Sequence, residues 1–156
     1  MQRTLISSLA MVAALMSVGN GAFAHDDGTL DKISGPNGGQ LRMAGSYHFE
    51  LVVAKDSKEA KDNPVVVYVT DHAGTKVPTA GAKGTVTILS GKAKVTVSLI
   101  PDGDNRLKGS GAYASAPDMK AIVSVTLPNK SPEQARFTPL DKPMLSTQDG
   151  HAGHSH

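Results

Sequence analysis

Residues 65–74 read Val-Val-Val-Tyr-Val-Thr and then Asp-His-Ala-Gly. Five successive apolar residues, nearly all β-branched or aromatic, describe a strand apolar on both faces, bounded by Pro64 before it and by a turn at Asp71-His72-Ala73-Gly74 after it. Such a strand belongs in the middle of a sheet. The remaining apolar segments are short and alternate with a period of two, so they suit strands packed around it rather than helices.

Those segments follow in order. Residues 40–43 and 47–54 read as two strands joined around Ala44-Gly45-Ser46. In the second, Tyr47, Phe49, Leu51 and Val53 share one face, while His48, Glu50 and Val52 share the other, where His48 and Glu50 stand side by side facing water. Residues 55–63 are almost entirely charged or polar and read as a solvated loop with at most one helical turn. Residues 75–83 contain Pro78 and Gly81 and suit a connection crossing between sheets. Residues 85–89 and 93–99 flank Ser90-Gly91-Lys92 as a hairpin that turns Val95, Val97 and Leu99 inward. Asp102-Gly103-Asp104-Asn105 is a tight turn that lacks the length and closing Glu of a calcium loop. A glycine-interrupted strand follows at 106–113, then an alternating one at 121–127 and a short one at 134–138. About seven to eight short strands without a long helix predict an all-β chain, an antiparallel β-sandwich of immunoglobulin-like type, with a small closed barrel as the alternative.

The two ends differ from this middle. Residues 1–24 carry Arg3 as their only charge, an apolar run from Leu5 to Val18, and small residues at Ala22 and Ala24. This is the pattern of a cleaved secretory signal, and the run is short for a membrane span. Taking 24 of the 156 residues away leaves 132, beginning at His25, enough for a modest core. The expected organisation is therefore signal 1–24, irregular entry 25–39, sandwich 40–139 and a disordered tail 140–156 with little to bury.

Composition then narrows the chemistry. Cysteine is absent, which excludes disulfides and thiolate metal sites. Without Arg3, 15 of the 16 Lys and Arg stand against 14 Asp and Glu, and they are interspersed. With few aromatics besides, nucleic acid is not an expected partner. No motif for a catalytic nucleophile, phosphate loop or zinc protease occurs, so no catalytic residue is assigned and an enzyme is not expected.

What remains is imidazole. His151, His154 and His156 lie in a flexible tail where they can converge on a borderline ion such as Zn²⁺, Ni²⁺ or Cu²⁺. Cleavage after Ala24 would free an α-amino group on His25, giving a bidentate nitrogen pair suited to Cu²⁺, with Asp26 or Asp27 near. His48 beside Glu50 on one strand face, and His72 in the turn, would add ligands if the fold brings them together. Met43, Met119 and Met144 are scattered and read as packing residues.

These residues also carry a resemblance. Gly35-Pro36-Asn37-Gly38-Gly39, Tyr47-His48-Phe49-Glu50-Leu51-Val52 and Val67-Tyr68-Val69-Thr70-Asp71-His72-Ala73-Gly74 resemble segments of small periplasmic proteins of bacterial heavy-metal resistance. They are also similar to the N-terminal β-domain of some periplasmic adaptor subunits of heavy-metal efflux pumps. In that family a His often stands where this chain has Asn37. The resemblance implies a periplasmic β-sandwich that binds or buffers a transition metal, Cu(II) or Zn(II), near an efflux-system component. The competing expectation is a periplasmic β-sandwich module that docks on a protein partner through a strand edge, its histidines incidental.

Overall fold

The computed structural model describes residues 34–141. Eight antiparallel strands run β1 (Gln40–Ala44), β2 (Tyr47–Val53), β3 (Lys61–Asp71), β4 (Lys83–Ser90), β5 (Ala93–Pro101), β6 (Arg106–Tyr113), β7 (Lys120–Thr126) and β8 (Glu133–Phe137). Their hydrogen-bonded order is β1-β2-β3-β6-β5-β4-β7-β8. The link between β6 and β5 consists of Ile100 opposite Lys108 and Pro101 opposite Leu107. That short junction lets the order fold into two layers, β1-β2-β3-β6 and β5-β4-β7-β8, with the core between them.

Alternation decides what fills the core. Phe49 and Leu51 of β2, Val65, Val67 and Val69 of β3, Val86 and Ile88 of β4, and Val97 and Leu99 of β5 are buried, as are Val123 and Val125 of β7. The antiparallel β-sandwich expected from strand spacing is thus present. Its two edge strands also lie against each other: the Thr138 N–H donates to Gln40 Oε1 at 2.8 Å, and Arg42 Nε donates to the Arg136 carbonyl at 3.1 Å. Side chains rather than a ladder close this seam, so the sandwich comes near to a barrel.

Two readings of local sequence need correction. The strand holding the valine run begins at Lys61, not after Pro64, because residues 61–64 pair with residues 110–113 of β6. Asn63 fixes this extension by donating from Nδ2 to Ser57 Oγ at 2.9 Å and to the Tyr113 carbonyl at 2.6 Å. That strand is also not sealed on both sides, since Val66 and Tyr68 are half-exposed on its outer face. The glycines of β6 have a packing reason: a Cβ on Gly109 would collide with the Ser98 carbonyl and Val97, and one on Gly111 with Val97. Residues 75–82 pass from the β3 layer to the β4 layer as expected, anchored by the buried Thr79, whose hydroxyl donates to the Arg106 carbonyl at 3.0 Å.

Among the described residues no helix is long and apolar enough to cross a membrane. The leader at 1–24 and the tail beyond Asp141 lie outside the described residues.

Candidate metal centre

The chemistry-bearing side chains gather on the outer face of β1, β2 and β3. Register places His48 opposite Met43 of β1 and Thr70 of β3, and Glu50 opposite Leu41 and Tyr68. Directly opposed residues of antiparallel strands share a face. Two loops then fold over these rows, and each is held by a carboxylate.

The first loop is Gly35 to Gly39. Its backbone closes on itself, with the Gly38 N–H donating to the Gly35 carbonyl at 3.0 Å and the Gly35 N–H to the Gly39 carbonyl at 2.9 Å. Glu50 clamps it from below: Oε1 accepts the Asn37 N–H at 2.8 Å and the Gly39 N–H at 2.9 Å, and Oε2 accepts Asn37 Nδ2 at 2.8 Å. Glu50 is consequently 2% exposed. The expectation that Glu50 faces water and could share an ion with His48 is overturned, because charge-assisted hydrogen bonds to the loop occupy both carboxylate oxygens. Asn37 takes part as a donor to that carboxylate.

The second loop is the turn after β3. The Gly74 N–H donates to the Asp71 carbonyl at 3.0 Å, and Asp71 Oδ1 accepts the Ala73 and Thr75 N–H groups at 2.9 and 2.8 Å. Gly74 sits at φ 81°, a conformation glycine adopts without penalty. The chain then runs back beside β3, with Lys76 bridging Thr70. This tight reversal brings His72 over the strand face it has just left. Those hydrogen bonds hold the Asp71 carboxyl below the usual carboxylate range, foremost the one from the Thr75 backbone.

The result is that His48 and His72 meet. Their rings stack with centroids 5.0 Å apart and planes inclined by 27°. Two imidazoles bound to one tetrahedral ion at about 2.0–2.1 Å have ring centres about 5 Å apart, a spacing the pair already has, and joint ligation requires the rings to turn out of the stack. His48 is partly covered and His72 is exposed. Partial burial first, and the neighbouring His72 second, lower the proton affinity of His48, while Asp71 opposes them. A neutral imidazole is the form that ligates metal. Beside the pair opens a groove of about 340 Å³ lined by Asn37, His48, Glu50, Tyr68, Thr70 and Lys76, among others.

Among the described residues no three of His, Cys, Asp and Glu are placed to hold a metal ion together. The folded part of the candidate centre is therefore a two-imidazole pair, and a further ligand must be of another kind or come from elsewhere. His25, His151, His154 and His156 lie outside the described residues. Of the methionines, Met119 is fully buried in the core, as a packing residue should be. Met43 is not: it is half-exposed and sits opposite His48. Sequence reasoning passed over it, although the two-residue turn Gly45-Ser46 already implied that pairing. Comparison of the chain with protein-family models, curated proteins and solved structures gave no match.

Proposed function

We propose that the chain is an exported, periplasmic transition-metal-binding accessory protein that buffers or delivers an ion such as Cu(II) or Zn(II), linked to heavy-metal efflux or resistance. The observation that carries this reading is the meeting of His48 and His72 from separate elements at 5.0 Å between ring centres, beside an open groove. Nothing in the packing of the core requires this meeting. Glu50 through both oxygens and Asp71 through Oδ1 build the loops around the pair and so position it. The histidines at 25, 151, 154 and 156, outside the described residues, are further ligands in this proposal. Docking through a strand edge has less support, because the two edge strands are engaged with each other through Gln40, Arg42, Arg136 and Thr138.

The test is calorimetric titration of the protein with Cu²⁺ and Zn²⁺, alongside the H48A/H72A variant. The expected outcome is a site in the parent protein that weakens about tenfold or more in the variant, the scale on which even outer-sphere changes alter metal affinity. Affinity no better than that of an unstructured histidine peptide, or unchanged in the variant, would remove the reading.

A further inference from the structure

We propose that the outer face of β1–β3 holds a site selective for a soft monovalent cation, Cu⁺ or Ag⁺, in which the Met43 thioether joins the His48 and His72 imidazoles. This rests on the histidine pair of the metal-binding reading above and goes beyond it by naming a third ligand and by assigning this face a softer class of ion than Cu(II) or Zn(II).

The register carries the first step. Ala44 pairs with Tyr47 and Met43 with His48 across the two-residue turn Gly45-Ser46, whose Gly45 sits at φ 57°. So tight a turn leaves no slack for the pairing to slip. Arg42 and Ala44 are buried on the inner side, hence Met43 between them faces outward on the same side as His48. Directly opposed residues have Cβ atoms about 4.5–5.5 Å apart. Three rotatable bonds then let a Met sulfur reach a point shared with the neighbouring imidazole. Met43 borders the cleft toward β7 and β8, so joining the histidines requires its side chain to turn toward β2.

The chemistry of the donors carries the second step. A hard or borderline dication would draw on carboxylates, and those nearest by sequence are committed. Both oxygens of Glu50 hold the Gly35–Gly39 loop and Asp71 gives Oδ1 to its own turn, and among the described residues no carboxylate is grouped with the two histidines as a third ligand. Across from His48 stand instead a thioether on one side and the Thr70 hydroxyl on the other. Two neutral nitrogens and one sulfur are a soft, uncharged set, which favours Cu⁺ and its analogue Ag⁺ over Zn²⁺.

The experiment is anaerobic competition for Cu⁺ against bicinchoninate, on the chain expected after signal removal, residues 25–156, carrying H25A, M144L, H151A, H154A and H156A so that the ends contribute no imidazole or thioether. Copper-edge X-ray absorption reports whether sulfur is in the coordination shell. In that background M43L, a near-isosteric change that a fold tolerates well, is expected to weaken Cu⁺ about tenfold or more and to remove the sulfur signal, with Zn²⁺ affinity unchanged within a factor of about two. Unchanged Cu⁺ affinity in M43L together with loss in H48A/H72A would overturn the role of Met43 and leave the histidine pair standing. Unchanged affinity in both variants would overturn the site and the reading beneath it.

Discussion

The two layers of the sandwich share one core and differ on their outer faces. On β5, β4, β7 and β8 that face shows Thr85, Thr96, Ser98, Lys94 and Lys120 to solvent, with Leu89 and Ile122 42% and 40% exposed. On β1, β2 and β3 it is roofed by two loops and carries a buried carboxylate and a stacked histidine pair. Burying a charged group is costly unless hydrogen bonds compensate, and a fold has no need of Glu50 for its core. That cost falls on one layer and not on its twin, which is consistent with the proposed site lying on β1–β3.

If this contrast is right, substitutions in the two layers should diverge, most of all at Glu50. Glu50→Ala strands the Asn37 and Gly39 amides and is expected to lower stability by about 3 kcal/mol in urea unfolding, while Thr96→Ala on the other layer stays within about 0.5 kcal/mol. Equal effects would erase the difference between the layers.

Tyr113 tests the far end of the same layer with a smaller effect. Its hydroxyl accepts the Ala54 N–H at 2.9 Å and donates to the Pro64 carbonyl at 2.6 Å. Burial pushes that phenol's pKa up, against the Ala54 hydrogen bond. Tyr113→Phe keeps the ring and removes both bonds, for an expected loss of about 1–3 kcal/mol.

The smallest effect is a pH dependence. The folded-state pKa of His48 lies below its ordinary 6.5. As pH falls through the window beneath that value the unfolded chain takes up this proton first, so stability from this group is full above about 6.5 and declines toward acid. Denaturation curves at stepped pH should show a shallower acid decline in H48Q. An unchanged profile would mean that neither burial nor His72 lowers the proton affinity of His48 in the folded protein.

Much of the fold was legible because strand alternation is local. All eight strands, the inward set Val95, Val97 and Leu99, and the crossing connection after β3 follow from period and turn residues alone. The bounds that failed were non-local: β3 begins early because Asn63 finds Ser57 and the Tyr113 carbonyl. Glu50 looked solvent-facing because nothing in its own strand reveals that Gly35–Gly39 will fold back over it. His48 and His72 were each visible as candidates, but their meeting depends on the β2–β3 register and the Asp71 turn together. Met43 was readable from the Gly45-Ser46 turn, and was missed because scattered methionines resemble packing residues.

The central claim is that His48 and His72 act as one metal-binding unit. Its most direct measurement is the ¹⁵N-detected titration of the histidine side chains of the full-length protein with Zn²⁺ and Cu⁺. The account predicts that both rings shift together at a common stoichiometry and that H72A abolishes the response of His48. A response confined to other histidines, with the His48 and His72 rings unmoved at saturation, would contradict it.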